Sequence, residues 1–285
     1  PKITADGHYL LFTTVSADHS ERNLYSLDLS TPAGVSRGPV RLNEGGNAGE
    51  RFLLSPAGDR VVYSVEETPG TGSFRSVHPG GPAASSVVIS LPRPPWSAAG
   101  CLHITPDGTT VVYCTRTYEE PELYPYSVPI DGPAESAVRL GAPIGNEAYF
   151  ELQLTPDGSR VLYEVDAVDN GTVVHRLYSA PVVGPSSDYQ ILSGQLNVYG
   201  TPYWAVEISP DSRLALYPDM RDPTYRGELY VVPVGGPSSA AARINGDLEP
   251  GTGVHDRSGL RAFAPDGVRV VYIAQQLGDE SPQLY

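Results

Sequence analysis

Carboxylates and large aromatic side chains recur together in several connecting segments of this 285-residue sequence. Carboxylates steer and pair with cationic groups, whereas tyrosine and tryptophan bury large areas against a peptide or stack on a sugar ring. The combination predicts a surface that binds a protein or peptide, basic ones included. The residues expected to form this surface are Trp96, Glu119, Glu120, Tyr149, Tyr203, Trp204, Asp219 and Asp222.

Motifs that would carry catalysis are absent from the sequence. Neither the Gly-x-Ser-x-Gly elbow of a serine hydrolase nor a glycine-rich phosphate loop occurs. The histidines at positions 8, 19, 78, 103, 175 and 255 form no His-x-His or His-Glu-x-x-His pair. We therefore expect no catalytic residue, no metal and no other cofactor in this chain.

The charge and the hydropathy of the chain exclude two classes of partner. The formal net charge is −14 at pH 7, and so negative a field repels phosphate backbones, which disfavours nucleic acid. No apolar run approaches the roughly 18 residues that a membrane-spanning helix needs, so direct membrane insertion is not expected.

Six copies of one repeat must position these residues. Each copy has an anchor turn, Ser/Thr-Pro-Asp-Gly in its full form, and the anchors at positions 7, 58, 108, 158, 212 and 267 lie 50 to 55 residues apart. An aromatic residue stands five positions after every anchor. A second landmark, usually Leu-Tyr, follows about 18 positions after the anchor, and copy two has Phe74-Arg75 in its place.

Each copy predicts four short antiparallel strands, A to D. Pro-Asp-Gly favours a tight turn between strands A and B, because Pro presets φ and Gly tolerates positive φ. The Val-Val-Tyr run that follows suits a buried strand. Four-stranded units of this period are typical of propeller blades, so we predict an all-β, six-bladed β-propeller as a single domain over residues 1–285. The expected blades span approximately 1–48, 49–98, 99–146, 147–200, 201–256 and 257–285.

The last of these blades is expected to be incomplete. Residues 257–285 end at the third strand, so the outer strand is predicted to come from residues before Pro1 or after Tyr285. Either source implies a longer native chain, in which other domains are further candidate partners.

Strand A of a blade lines the central channel with alternate side chains. The residues expected there are Arg51, His103, Glu151, Gln153 and Glu207. Two interpretations stay open for them, a water-filled lining and a ligand or metal site. The B–C and D–A connections should emerge together on one face, hereafter the loop face, which carries the acidic and aromatic residues named first.

The two cysteines are predicted to face each other across one hairpin. If Asp107-Gly108 is a two-residue turn, paired positions sum to 215, and Cys101 on strand A then opposes Cys114 on strand B. A cross-strand disulfide would fit this geometry and would indicate an oxidising compartment. Two buried thiols are the alternative.

The repeat, Ser/Thr-Pro-Asp-Gly-x-x-Val-Val-Tyr followed by Leu-Tyr-x-Val-Pro, resembles the blade of the TolB-type, WD40-like propellers. It is also similar to the propeller domains of the prolyl oligopeptidase and dipeptidyl peptidase families. The resemblance covers the whole chain. It implies a periplasmic or extracellular location and protein binding as the activity.

These observations predict a non-catalytic, extracytoplasmic propeller that binds a protein or peptide through an acidic, aromatic loop face. Three alternatives stay open. The first is the gating propeller of a serine peptidase whose catalytic domain is absent from this chain. The second is a glycan-binding or lyase propeller that uses Trp96, Tyr203 and Trp204. The third is a structural component of a surface assembly.

Overall fold

The computed structural model shows an all-β protein, as predicted. Its described residues form β-strands and short 3₁₀ turns, with no α-helix among them. Within this described part, no helix has the length and apolarity that crossing a membrane requires. The chain divides into two compact units, Pro1–Arg139 and Leu140–Tyr285. The structure describes residues 1–30, 38–68, 71–91, 101–116, 122–144, 152–169, 172–196, 206–220, 226–249, 252–255, 261–275 and 281–285.

The first unit contains three four-stranded antiparallel sheets, one for each of the first three repeat copies. Within each sheet the strands are adjacent in chain order, so the predicted A-to-D arrangement is confirmed for these copies. The strands are β1 (Lys2–Ile3), β2 (Tyr9–Val15), β3 (Arg22–Asp28) and β4 (Val40–Arg41); β5 (Asn47–Leu54), β6 (Val61–Thr68), β7 (Thr71–Val77) and β8 (Val87–Val88); β9 (His103–Ile104), β10 (Thr110–Thr115), β11 (Tyr124–Pro129) and β12 (Val138–Arg139).

The second unit contains one four-stranded sheet and one sheet of eight strands. The four-stranded sheet is β13 (Leu152–Leu154), β14 (Arg160–Asp169), β15 (Thr172–Pro181) and β16 (Gln190–Ile191). The larger sheet holds β17 (Glu207–Ile208), β18 (Leu214–Met220), β19 (Arg226–Pro233), β20 (Ala242–Arg243), β21 (Gly253–His255), β22 (Arg261–Phe263), β23 (Val270–Gln275) and β24 (Gln283–Leu284).

Strand β21 joins the last two copies into that one sheet, because it pairs with both β19 and β23. The sequence predicted two separate blades here, and the joining strand was not foreseen. The last copy has three strands of its own among the described residues, β22 to β24. No other strand in this part of the chain pairs with the outer edge of β24. The number of six closed blades remains a prediction.

The anchor turns form as predicted, and their carboxylates hold them. Thr105 Oγ1 donates a hydrogen bond to Asp107 Oδ1 (2.6 Å), and the backbone N–H of Thr109 donates to the same oxygen (3.0 Å). Gly108 has a φ of 76°, which a glycine adopts without strain. The hydrogen bond from Thr105, followed by those from Thr109, lowers the pKa of Asp107, so the turn is built around an ionised carboxylate.

The two sequence landmarks of each copy are partners across strands B and C. Tyr113 lies opposite Tyr126, and their rings stack with centroids 5.7 Å apart and planes at 16°. The same stacked pair occurs in four other copies, as Phe12–Tyr25, Tyr163–Tyr178, Tyr217–Tyr230 and Tyr272–Tyr285. Copy two departs from the pattern, because Tyr63 lies opposite Arg75.

Neighbouring sheets within each unit bury their apolar faces against each other. In the first unit, Leu24 of the first sheet and Leu42, which follows β4, share a core cluster with Phe52 and Val61 of the second sheet. In the second unit, Leu177 of the four-stranded sheet shares a cluster with Tyr217 of the next. The repeat pattern requires burial of both faces of a four-stranded sheet, which an isolated sheet could not provide.

Candidate functional site

Most of the predicted loop-face residues lie outside the described residues, namely Trp96, Glu119, Glu120, Tyr149, Tyr203, Trp204 and Asp222. The exception is Asp219, which is half-buried in β18 opposite Glu228 of β19. Glu228 accepts hydrogen bonds from Tyr230 Oη (2.6 Å) and Arg243 Nη1 (3.0 Å). The loop-face surface therefore stays a prediction at these positions.

Four of the five predicted channel residues are described, and these four lie on first strands. Arg51 in β5 and Gln153 in β13 are exposed, whereas His103 in β9 and Glu207 in β17 are half-buried. Glu151 lies outside the described residues. The channel that these side chains were predicted to line remains a prediction.

The first strand of copy two is irregular, which makes it the best candidate site in the described structure. β5 has eight residues, whereas the first strands of the other copies have two or three among the residues that the structure describes. Ala48 lies opposite Val65, but the next paired residue, Phe52, lies opposite Tyr63. Three residues, Gly49 to Arg51, therefore bulge out opposite the single residue Ser64. Bulges recur beside functional sites because they redirect side chains and interrupt the strand ladder.

Glycines make this bulge sterically feasible. A Cβ on Gly49 would lie 1.9 Å from Ser64 Oγ. Just before β5, Gly46 has a φ of 53°, and a Cβ there would lie 2.0 Å from the backbone oxygen of Glu66. The connection from copy one can therefore approach β6 this closely only with glycine at position 46.

Two cavities flank the bulge and share Gly49 and Ser64 in their linings; we call the pair the β5 cleft. The larger, of about 430 Å³, is lined by the apolar residues Leu53, Phe74 and Leu102 and by the charged residues Glu50 and Arg51. The smaller, of about 280 Å³, is lined by Val15, His19, Arg22, Asn47, Ala48, Gly49, Ser64 and Glu66. A mostly apolar lining with a few polar or charged groups is the usual form of a ligand site.

Hydrogen bonds and an ion pair connect the cleft to the B–C connection of copy one and to the start of β3. The backbone N–H of Arg22 donates to Asn47 Oδ1 (2.9 Å), and Asn47 Nδ2 donates to the carbonyl of Ser20 (3.1 Å). Arg22 Nη2 also pairs with Glu50 Oε1 at 3.0 Å, where the Glu50 side chain is 79% exposed. Glu50 can therefore exchange this partner for a ligand cation at little cost, since exposed ion pairs contribute little stability.

Glu67, next to the cleft, is already engaged within its own sheet. Its Oε1 accepts hydrogen bonds from Arg75 Nη2 (2.6 Å) and Ser73 Oγ (3.0 Å), and the Arg75 bond above all lowers the pKa of Glu67. Arg75 occupies the landmark position that is tyrosine in the other copies, so copy two replaces its aromatic stack with an ion pair. A departure from the repeat pattern in the copy that also carries the bulge indicates specialisation of copy two.

Sequence reasoning missed the β5 cleft, although signals for it were present. The repeat does not require glycine at positions 45, 46 and 49, and glycine inside a strand indicates a bulge or a close backbone approach. Arg75 in place of the landmark tyrosine is a second signal.

Nothing in the described structure suggests a metal centre, because no three His, Cys, Asp or Glu side chains come together there.

The pairing of β9 with β10 confirms the predicted register as far as His103, but Cys101 lies just before β9 in a 3₁₀ turn and not on the strand, and both cysteines are free thiols in the structure. Val111 lies opposite Ile104 and Val112 opposite His103, so paired positions sum to 215. Both cysteines are fully buried, and burial raises the pKa of the Cys114 thiol well above its usual value, with a further contribution from its hydrogen bond to Cys101. The structure therefore contains two buried thiols in contact, which was the alternative to the predicted disulfide.

Comparison by sequence assigns no family. No protein-family model matches the chain, and no curated protein matches it.

Comparison by structure identifies the fold. The β-propeller domain of the Trilobed protease from Pyrococcus furiosus covers 98% of this chain and 79% of its own, at 12% identity and a TM-score of 0.51. TolB from Acinetobacter baumannii covers 98% of this chain at 13% identity and a TM-score of 0.44, and this chain spans 60% of the TolB chain. Acylaminoacyl peptidase from Pyrococcus horikoshii covers 97% of this chain and 42% of its own, at 10% identity and a TM-score of 0.46. The match to the protease propeller shows that this chain has a β-propeller fold, and at the level of the fold it confirms the resemblance to the TolB-type and peptidase propellers.

Proposed function

We propose that this chain is a non-catalytic, extracytoplasmic propeller whose loop face binds a basic segment of a protein or peptide. The β5 cleft is the observation that carries the proposal. It opens where the B–C connection of copy one (residues 16–21) and the D–A connection to copy two (residues 42–46) reach β5. The cleft therefore belongs to the same two classes of connection that carry the acidic and aromatic residues elsewhere in the sequence.

The chemistry of the cleft suits an arginine or lysine side chain. The methylene stem of such a residue can lie along Leu53, Phe74 and Leu102, while its charged head stays at the polar edge. Carboxylates outnumber arginines in the segments around the cleft, with Asp18, Glu21, Glu44, Glu50 and Glu66 against Arg22 and Arg51.

The whole chain favours the same class of partner. A net charge of −14 attracts basic segments over a distance of about 8–10 Å at physiological ionic strength and raises their rate of association. The sequence adds Trp96, Tyr149, Tyr203 and Trp204 to connections of the same class, where aromatic anchors would supply buried area. Binding is therefore expected to weaken as salt concentration rises.

Charge reversal on the loop face tests the proposal. A variant carrying Glu119→Lys, Glu120→Lys and Asp222→Lys is expected to bind arginine-rich synthetic peptides about tenfold more weakly or worse, because three attractive charges become repulsive. The measurement is fluorescence anisotropy on an array of peptides graded in net charge. The matched control is Asp131→Lys, Glu135→Lys and Asp188→Lys, an equal change of charge on exposed residues of C–D connections. Equal affinities for the two triple variants would refute a loop-face site.

A single substitution tests the cleft itself. Glu50→Lys is expected to weaken the same peptides several-fold, because it places a cation at the edge of the cleft beside Arg22 and Arg51. The side chain is mostly exposed, so the free energy of unfolding should change by less than about 0.5 kcal/mol. Glu135→Lys alone is the control. If Glu50→Lys binds as the wild type does, the β5 cleft is not the peptide site.

A second candidate function is a propeller domain that presents peptides to a peptidase domain. The specific observation in its favour is that the protease propeller from Pyrococcus furiosus is the propeller domain of a larger enzyme. The intact mass of the native protein, followed by sequencing of any residues beyond Pro1 and Tyr285, distinguishes the two functions. A longer chain with a Gly-x-Ser-x-Gly elbow would favour the peptidase, whereas a mass near 30.4 kDa would favour a propeller that binds alone.

A further inference from the structure

We propose that Cys101 and Cys114 are an oxidation site, which closes as a cross-strand disulfide while the chain folds in an oxidising compartment. This inference rests on the proposed extracytoplasmic location, and not on the identity of the peptide. Its evidence is the strand register, the burial of both thiols and their mutual contact.

The hairpin register brings the two residues near each other. In the hairpin of β9 and β10, the pairs Val111–Ile104 and Val112–His103 fix the register up to position 103. The strand pairing ends at His103, and Cys101 lies two residues before β9 in a 3₁₀ turn, from which the chain enters β9 beside β10. If the register continued through Cys101, that residue would lie opposite Cys114, and directly opposite residues have Cα atoms about 4.5–5.5 Å apart, in the range that a disulfide spans.

The surroundings show that the two thiols contact each other and not solvent. The relative exposure of both residues is 0%, and the Cys114 thiol takes part in a hydrogen bond with Cys101. Thiolate is the nucleophile in disulfide exchange, so a buried thiol with a raised pKa reacts slowly. Oxidation is therefore expected before the sheets pack, and the finished disulfide should then be shielded from reductant.

The reaction is a thiol–disulfide exchange with an external disulfide such as oxidised glutathione. The thiolate of one cysteine attacks the glutathione disulfide, releases one glutathione and forms a mixed disulfide. The thiolate of the other cysteine then attacks the mixed disulfide at the protein sulfur and releases the second glutathione. Two S–H bonds are lost and one S–S bond forms, and the two electrons and two protons reduce one glutathione disulfide to two glutathione molecules.

The disulfide would fix the end of a predicted loop-face connection. Cys101 follows the D–A connection of copy three, which contains Trp96, whereas Cys114 lies inside strand β10. A covalent bond between them holds the end of that connection on the sheet. Lower conformational entropy of a binding loop improves affinity without any new contact.

Refolding of the full chain tests the proposal directly. The protein is unfolded in denaturant with reductant and refolded in a buffer of reduced and oxidised glutathione, and its intact mass is measured after alkylation of free thiols under denaturing conditions. The expected product is about 2 Da lighter than the reduced chain and takes up no alkylating reagent, because two hydrogens have left. A refolded chain that alkylates at both cysteines would overturn the proposal.

A displaced cysteine provides the matched control. A variant carrying Cys101→Ala and His103→Cys keeps two thiols on the same face but makes them diagonal neighbours, about 7–8 Å apart at Cα, too far for an unstrained disulfide. We expect it to refold and to alkylate at both cysteines. If it closes as readily as the wild type, the register does not select the pair, and the proposal is wrong. Peptide affinity of the reduced and oxidised wild type is measured in parallel, so a missing disulfide and a missing peptide site give separate results.

Discussion

Replacement of Tyr113 with alanine is expected to lower the free energy of unfolding by about 4 kcal/mol. The side chain is fully buried, stacks on Tyr126 at 5.7 Å and meets the edge of Phe74 at 5.5 Å. Phe74 belongs to the second sheet and Tyr126 to the third, so this one ring contacts both sides of an interface between sheets. Its removal leaves a cavity of aromatic size that strands fixed on both sides cannot close. Urea unfolding followed by circular dichroism measures the effect.

Two phenylalanine variants separate the ring from the hydroxyl group. Tyr113→Phe keeps the stacked ring and loses only a long hydrogen bond of 3.4 Å from the Leu91 N–H, so its cost should stay below about 1 kcal/mol. Tyr63→Phe loses a buried bond of 3.0 Å from Oη to the carbonyl of Leu42 and should cost about 1–2 kcal/mol. If Tyr113→Ala were no worse than Tyr113→Phe, the stacked landmark pair would not contribute to the core.

The repeat, the strand type and the anchor turns could be predicted because each depends on local chemistry. Ser/Thr-Pro-Asp-Gly specifies its own turn, and Thr105, Asp107 and Gly108 form it with contacts inside a few residues. The aromatic landmarks were visible as a period, but their pairing was not. Whether Tyr113 meets Tyr126 depends on the number of residues in the B–C connection, which the period alone does not reveal.

Features that depend on contacts distant in sequence were not predicted. β21 joins two copies because its edges meet β19 and β23, and the short segment Gly253–His255 has no strong strand pattern of its own. The bulge in β5 depends on the close approach of residues 46 and 49 to β6. Glycines indicated an irregularity there, but only the tertiary structure shows that a cleft results.

The same distinction between local and long-range features applies to the candidate site. The sequence identified residue types suited to a basic partner and assigned them to connections, since charge and aromatic content are properties of composition. It could not identify the β5 cleft, because its apolar walls, Leu53, Phe74 and Leu102, come from two repeat copies and have the side chains of ordinary core residues. A core residue and a pocket residue differ only in whether the neighbouring space is filled.

The second large effect is expected at the entrance to the cleft, where Gly46→Ala should cost about 3 kcal/mol of unfolding free energy. A Cβ at this position would lie 2.0 Å from the Glu66 carbonyl oxygen and 2.9 Å from Glu67 Cα, and backbone atoms of a paired strand cannot move aside as a side-chain tip can. The φ of 53° adds about 1–2 kcal/mol of left-handed strain to the overpacking. Chemical denaturation of both proteins measures the difference.

Gly45 supplies the control for Gly46, because it has a similar positive φ without the contact. Its φ is 63° and no atom lies within 4 Å of a Cβ built there, so Gly45→Ala should cost only the strain, about 1–2 kcal/mol. Similar losses for the two alanines would show that the close approach to Glu66 is not tight in solution. A larger loss of unfolding free energy for Gly46→Ala than for Gly45→Ala would show that the connection lies in close contact with β6 beside the bulge. In that case Gly46→Ala should also weaken peptide binding, whereas Gly45→Ala should leave peptide binding unchanged.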